Sequence, residues 1–152
     1  MEHKPLIVTG RIVENNGKFL LIQIAKYKGA DGLKWTIPAG RWDRNESILD
    51  GAKREFKEET GYDFKPTAIL GLYSRQRVWP DTIHNTIRII YKGKISGEQS
   101  KIEHEVVDTK WFSSEEKFNM NDHTIRFPEI KVMIKDYLAD QELPLETIKH
   151  II

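Results

Sequence analysis

Three glutamates at helical spacing are the residues of this 152-residue chain best suited to chemistry. Glu55, Glu58 and Glu59 stand at i, i+3 and i+4, so in a helix they share one sector roughly 100° wide. Like charges on one turn destabilise an isolated helix by a few tenths of a kcal/mol per pair, and a bound divalent cation would reverse that sign. The alternative is a solvated helix face whose acids pair with Arg54 and Lys57.

The helix that carries these glutamates is predicted to run from about Ser47 to Thr60. Ser47 and Asp50 have the spacing of a capping box at its start, and Gly61 is the residue type expected just past a helix end. An apolar sector lies beside the acids and should face a sheet, with charged residues opposite it. The carboxylates therefore lie between core and solvent, where a partly dry cleft can form. The apolar residues are Ile48, Leu49, Ala52 and Phe56.

The glutamates belong to a longer motif. Gly40 is followed after five residues by Glu46 and after seven more by Arg54-Glu55, and then come Phe56, Glu58-Glu59, Gly61 and Tyr62. This resembles the Nudix box, G-x5-E-x7-R-E-U-x-E-E-x-G-U with U a bulky apolar residue, which is the signature of the Nudix hydrolase family. All seven invariant letters match. Tyr62 departs from the usual aliphatic residue, and Asp43-Arg44-Asn45 stands where many members have Glu-x-Gly, but neither departure removes a carboxylate.

The resemblance extends beyond the box. Thr36 to Gly40 resembles the strand leading into it, and Glu105 before Trp111-Phe112-Ser113 resembles the family's later acidic residue, followed by an aromatic strand and a short helix. The tail, from Arg126-Phe127-Pro128 to Leu143-Pro144-Leu145-Glu146, resembles one subgroup of these MutT-like proteins. Members of that subgroup are phosphatases acting on nucleoside tri- and diphosphates and on thiamine pyrophosphate-like compounds.

The resemblance implies an activity and a metal. Nudix enzymes hydrolyse a nucleoside diphosphate linked to a group X by water attack on phosphorus, so a magnesium-dependent pyrophosphohydrolase or phosphatase is expected, with Mn²⁺ as a substitute for Mg²⁺. Mg²⁺ takes one or two carboxylates while keeping waters and substrate phosphates. The ligands that the resemblance implies are Glu58 and Glu59, with Glu55, Glu105 and the main-chain carbonyl of Ala39 as further candidates. The general base is either Glu55 or Glu105.

Four other motif residues are interpreted as structural. Arg54 is expected to hold the loop by pairing with Glu46 or a neighbouring carboxylate. Gly40 and Gly61 are interpreted as positions where a side chain would block a tight turn.

Substrate contacts are predicted on two later strands. Arg88 has apolar residues on either side, so it faces either the cleft and a phosphate or the solvent. Arg75, Arg77 and Trp79 form a basic–aromatic cluster suited to phosphate contact and base stacking, or else ordinary surface. The box residues indicate a diphosphate in the substrate, but they do not indicate which group is attached to it. ADP-ribose, dinucleoside polyphosphates and oxidised guanine nucleotides therefore all stay open as substrates.

The order of elements predicts the fold class. Two strands flank an Asn-Gly hairpin turn, a brief strand ends at Pro38, and further strands follow the first helix. That order favours an α/β (α+β) protein, an α/β/α sandwich with a mixed sheet, and residues 1–152 are expected to form a single domain. The predicted strands are Leu6 to Glu14, Lys18 to Lys26, Trp35 to Ile37, Thr67 to Val78, Asn85 to Ile95 and Val106 to Phe112, and the last helix is Pro128 to Ala139.

Composition narrows the alternatives. With 24 Lys+Arg against 23 Asp+Glu, the net charge is +1, so neither a nucleic-acid nor a membrane partner is expected. The chain has no cysteine, which excludes thiol nucleophiles and zinc–thiolate sites. In the family that the box resembles, isomerisation of isopentenyl diphosphate calls for a catalytic cysteine, so the resemblance does not imply that reaction here. No apolar run approaches a membrane span and no signal peptide is visible, so a cytoplasmic location is expected.

Two function classes remain. One is the hydrolase acting on a small nucleotide or pyrophosphate, in a family whose members are often homodimers. The other is a catalytically inactive, nucleotide-binding regulatory module on the same fold, against which the intact set of box glutamates argues.

Overall fold

A computed structural model describes residues 2–29, 32–42, 45–78, 80–103, 105–119, 125 and 127–152. Within these residues seven strands form a mixed sheet and three α-helices pack against it. The strands are β1 (Glu2–Asn15), β2 (Lys18–Gly29), β3 (Gly32–Thr36), β4 (Ala39–Arg41), β5 (Asp63–Val78), β6 (Thr82–Ser96) and β7 (Val106–Ser113). The helices are α1 (Ile48–Thr60), α2 (Ser114–Asn119) and α3 (Glu129–Leu138), and a 3₁₀ turn follows at Leu145–Thr147.

The sheet has the order β3-β2-β1-β6-β5, with β4 paired to β1 and β7 paired to β2. Only β1 and β6 run parallel; the other described pairs are antiparallel. Asn16 (φ 52°) and Gly17 (φ 76°) form the β1–β2 turn in the left-handed conformation that a tight hairpin turn requires. The predicted hairpin is therefore confirmed. Beyond this turn β1 pairs with β4 and β6, whereas β2 pairs with β3 and β7.

Alternation of side chains along the strands builds a core on each face of the sheet. The core on the α1 side contains Val13, Leu20, Ala52, Phe56, Phe64, Ile69, Ile89 and Tyr91. The core on the α3 side contains Ile12, Phe19, Leu21, Ile37, Leu70, Ile90, Phe112, Ile125, Ile130, Met133 and Ile134. Neighbouring residues of one strand, such as Ile89 and Ile90, enter opposite cores, as the period of two in a strand dictates. The predicted sandwich with a mixed sheet is confirmed.

The bounds of α1 follow from its caps. The Asp50 backbone N–H donates to Ser47 Oγ at 3.1 Å, and the Gly61 N–H donates to the Lys57 carbonyl at 2.9 Å. Gly61 has φ 77°, and a Cβ there would stand 2.3 Å from the Ser100 carbonyl oxygen, so only glycine fits. Ala52 and Phe56 are fully buried on the predicted apolar face.

The structure extends several predicted strands and adds one. β1 begins at Glu2 and β5 at Asp63, earlier than the alternation indicates. Pro66 lies inside β5, which tolerates it because β5 is an edge strand with a register shift at that point. β4 was not predicted, since three residues are too few to show a period. No helix in the described ranges is long and apolar enough to cross a membrane.

Candidate active site

A cavity of about 710 Å³ is lined by a group of glutamates, by a second group that contains arginines, and by apolar residues. We call the first group the acidic wall; it consists of Glu55, Glu58, Glu59, Glu103 and Glu105. We call the second group the basic wall; it consists of Arg77, His84, Arg88, Phe127 and Glu129.

The acidic wall brings the predicted glutamates of α1 together with Glu105. Glu103 also lines it and was not singled out from the sequence. The Glu103 backbone N–H donates to the Glu58 carbonyl at 2.9 Å, which ties the segment before β7 to α1. Burial raises the pKa of Glu55, and the charge of Glu58 adds to this effect while Arg54 and Arg11 oppose it. The acidic wall thus brings several carboxyl groups together, and Glu55 among them is partly buried.

Arg54 connects the loop before α1 to the helix, as predicted. Its Nε lies 2.9 Å from Glu46 Oε2 and its Nη2 lies 2.7 Å from Glu46 Oε1, a bidentate pair. Its Nη1 also donates to both carboxylate oxygens of Glu58, at 3.2 and 3.1 Å. The hydrogen bonds to Glu46 are the main reason that the pKa of Arg54 is raised. Arg54 therefore stays charged and holds Glu46 and Glu58 on one side of α1.

Arg11 of β1 pairs with Glu59, and the sequence analysis did not identify it as a residue of the site. Its side chain is 0% exposed, and its Nη2 lies 2.7 Å from Glu59 Oε1. Nη1 donates to the Thr9 carbonyl and hydroxyl, while the buried Nε has no hydrogen-bond partner among the described residues. Burial raises the pKa of Glu59, while the charge of Arg11 and the hydrogen bond from it oppose this effect and favour the carboxylate. A charged residue at an inward position of an apolar strand was the available signal.

Gly40 matters for a close approach and not for a turn. It lies in β4, and a Cβ there would stand 2.5 Å from Glu55 Cδ, so the Glu55 carboxyl group rests against the bare backbone. Next to it, the backbone of Ala39 hydrogen-bonds Glu59 and stabilises its charged form. The interpretation of Gly40 as a tight-turn residue is therefore corrected, whereas Gly61 does have the left-handed conformation.

The basic wall answers the question that the sequence left open for Arg88. Arg88 faces the cavity, and its guanidinium group lies 4.4 Å from the centroid of the Phe127 ring. Arg77 lines the same cavity and lies 5.0 Å from that centroid. Arg75 does not line the cavity but donates to Glu129, which also accepts from Arg88. The predicted contact residue Trp79 lies outside the described residues.

Comparison with known proteins identifies the family of this chain. The sequence model of the NUDIX domain family matches residues 4–132. The chain belongs to the Nudix hydrolase family. A Bacillus subtilis (strain 168) protein named "Putative 8-oxo-dGTP diphosphatase" is 30% identical over 135 residues, covering 79% of this chain and 87% of the relative. Phosphatase NudJ of Escherichia coli (strain K12) is 26% identical over 147 residues, covering 95% and 91%.

A solved structure shows the same Nudix fold. A NUDIX hydrolase from Nitrosomonas europaea superposes with a TM-score of 0.85 at 27% sequence identity, covering 97% of this chain and 98% of the other. The family resemblance read from the box is thereby confirmed, and with it the class of enzyme.

The donors of the Nudix box fit a hard divalent cation in chemistry. Glu55, Glu58 and Glu59 carry carboxylate oxygens, the ligand type that Mg²⁺ prefers, and Ala39 lines the same cavity. Within the described residues no three acidic or imidazole side chains already stand together in metal-ligand geometry. Arg54 and Arg11 instead pair with carboxylate oxygens of Glu58 and Glu59. A cation at this wall would take over the neutralisation that the arginines provide.

Proposed function

We propose that this protein hydrolyses a phosphoanhydride bond in a nucleoside diphosphate linked to a group X, with Mg²⁺ as cofactor and water as nucleophile. The observation that carries the proposal is that Glu55, Glu58, Glu59 and Glu105 line one cavity together with arginines on another wall. Cleavage of a diphosphate mostly requires positioning and neutralisation of negative charge. The cavity offers oxygen ligands for a cation and separate contacts for the rest of the substrate.

The residues of the acidic wall divide the work. We assign Glu58 and Glu59 as the principal ligands of Mg²⁺. Glu55, Glu105 and the Ala39 carbonyl are the further ligands in this proposal. When bound, Mg²⁺ neutralises the diphosphate and lowers the pKa of a coordinated water. Arg54 and Arg11 are positioning residues, because they orient Glu58 and Glu59 before substrate arrives.

Glu55 is our choice as the general base. It is half-buried against Gly40, and burial raises its pKa, so it accepts a proton more readily than an exposed carboxylate. Glu105 is exposed. We expect Glu55→Gln to lower turnover more than Glu105→Gln does, and the reverse order would assign the base to Glu105.

The test of the proposal is a substrate panel. Nucleoside di- and triphosphates, sugar nucleotides, ADP-ribose, dinucleoside polyphosphates, an oxidised guanine nucleotide and thiamine pyrophosphate would be incubated with Mg²⁺, and released phosphate and pyrophosphate measured. We expect turnover of at least one class, loss of turnover with a chelator, and its return with Mg²⁺ or Mn²⁺. Binding of these compounds without any hydrolysis would instead support the regulatory module.

A further inference from the structure

Glu129, the first residue of α3, neutralises two arginines at the basic wall. Arg75 Nη1 lies 2.9 Å from Glu129 Oε1 and 2.7 Å from Oε2, and Arg88 Nη1 also donates to Oε1. Burial acts to raise the pKa of Glu129, but the hydrogen bond from Arg75 and the charge of Arg88 outweigh it and lower the pKa. Glu129 is therefore an anion at neutral pH, and Arg75 and Arg88 share its charge.

Arg88 keeps donors that a ligand can use. Its side chain is 11% exposed, and only Nη1 is engaged by Glu129. Within the described part of the chain, nothing accepts a hydrogen bond from its Nε or Nη2. An arginine carries five N–H donors and no acceptor. Because Arg88 lines the cavity, an acceptor atom of a bound ligand can reach these donors.

The position of Glu129 decides which acceptor fits. A phosphate bound to the remaining donors of Arg88 would lie a few ångströms from the Glu129 carboxylate. Because like charges at such a separation repel, the Glu129 carboxylate should weaken phosphate binding roughly tenfold relative to a site with the same arginines and a neutral residue at position 129. A hydroxyl or carbonyl oxygen accepts the same hydrogen bonds without this repulsion. Arg77 also lies against the Phe127 ring, and its positive charge attracts anions. The discrimination against a phosphate therefore depends on the negative charge of Glu129.

The apolar lining beside Arg88 favours the same kind of ligand. Val8 of β1 is the register partner of Arg88, and Leu6 lies on the same face of β1. Both line the cavity, together with Ile130 and Met133 of α3. Burying a charged group against apolar side chains is costly, whereas a flat or weakly polar group gains from the contact.

We infer that Glu129 is a specificity-determining residue: the Arg88 side of the cavity accepts a neutral group bearing hydrogen-bond acceptors, such as a sugar hydroxyl or a base carbonyl, and rejects an additional phosphate. The inference rests on the proposed function, which makes this cavity the substrate site. It assigns the diphosphate to the acidic wall and a neutral end of the substrate to the basic wall.

The kinetic test compares Glu129→Gln with the wild type. Glutamine keeps an acceptor for Arg88 but removes the charge. Asp136→Asn is the matched control, because Asp136 also lies on α3 and pairs with the Tyr73 hydroxyl outside the cavity. Two substrate pairs are used with Mg²⁺. ADP-ribose against its 2′-phosphate differs at the adenosine end, and ADP-ribose against ATP differs at the X end.

We expect the wild type to prefer the neutral member at one of these ends by at least about tenfold in kcat/KM. Glu129→Gln should reduce that preference to less than about threefold, while Asp136→Asn keeps the wild-type ratio. The inference is overturned if Glu129→Gln keeps both ratios within about twofold of the wild type, or makes the preference stronger.

A binding test separates this inference from the proposed function. The Nε–Hε resonance of Arg88, assigned by its loss in Arg88→Lys, would be followed by NMR in metal-free protein during titration with inorganic phosphate and with adenosine. Phosphate should shift this resonance in Glu129→Gln at a concentration about tenfold lower than in the wild type, and adenosine should shift it in both. Equal phosphate responses overturn the inference. A protein that hydrolyses nothing in the panel but shows the difference refutes the proposed function alone.

Discussion

The two walls of the cavity balance charge in different ways. At the acidic wall two arginines, Arg11 and Arg54, hold Glu59 and Glu58, yet carboxylates remain in excess. At the basic wall a single carboxylate, Glu129, is shared by Arg75 and Arg88. The excess of carboxylates at the acidic wall favours the binding of a cation. At the basic wall the arginines are already paired with a carboxylate, so they act mainly as hydrogen-bond donors. Under the proposed function, the acidic wall would bind the cation and the diphosphate, and the basic wall would bind the group that the diphosphate carries.

The largest effect should follow from removing a carboxylate of the acidic wall. We expect Glu58→Gln to lower kcat by about 100-fold or more, since charge neutralisation at the diphosphate is lost. Because Glu58 is partly exposed, the Tm of Glu58→Gln should stay close to that of the wild type. Steady-state kinetics and thermal unfolding measure both, and Glu98→Gln, an exposed site outside the cavity, is the control. Wild-type turnover in Glu58→Gln would remove Glu58 from the ligand set.

The buried pair beneath the acidic wall should affect stability. Arg11→Met leaves Glu59 buried without its partner, and breaking such a pair costs about 3–5 kcal/mol of unfolding free energy. The double variant Arg11→Met/Glu59→Gln should recover part of this loss, because neither charge is then stranded. Urea unfolding measures all three proteins. A cost below about 1 kcal/mol for Arg11→Met would mean that Glu59 does not need Arg11 to stay buried.

A smaller effect is expected where the backbone supports Glu55. In Gly40→Ala the new Cβ would stand 2.5 Å from Glu55 Cδ, so the carboxyl group must move. Displacing a catalytic group by a fraction of an ångström should lower kcat by about tenfold. Gly17→Asn is the matched control, since Gly17 has open space around it and asparagine tolerates its left-handed conformation. Unchanged kcat in Gly40→Ala would argue against Glu55 as the base.

The walls also differ in how far the sequence could predict them. The acidic wall is mostly local, because the spacing of Glu55, Glu58 and Glu59 within one helix already places them on one side. The caps of α1 and the Asn-Gly hairpin were likewise read from neighbouring residues. Local sequence patterns and the order of the elements therefore predicted the fold class and most of the acidic wall.

The basic wall needed the folded chain. Glu129 meets Arg88 and Arg75 across 41 and 54 residues, and Arg11 meets Glu59 across 48. No periodicity reports such pairs. The orientation of Arg88 was also undetermined, because Ile87 and Ile89 beside it are both apolar, and only the fold shows that Ile87 is exposed while Ile89 is buried.

The smallest effect is a pH-dependent stability at the basic wall. The pKa of Glu129 is lowered in the folded protein, so its charge stabilises the fold above the ordinary value of 4.5, and this contribution is lost as the pH falls through the lowered pKa. Glu129→Gln should therefore be less stable than the wild type by about 1 kcal/mol at pH 7. The two proteins should approach equal stability as the pH falls through this lowered pKa, where the carboxyl group becomes protonated.

Urea unfolding at a series of pH values from 7 down to the acid limit of the fold measures this difference, with Asp136→Asn as the control. A gap that stays constant over the whole series would mean that shape and not charge holds the start of α3 to the sheet. In that case Glu129 would not be the anion that the basic wall requires, and the contrast between the two walls would lose its electrostatic basis. A gap that closes on acidification ties the contrast to the carboxylate that Arg75 and Arg88 share.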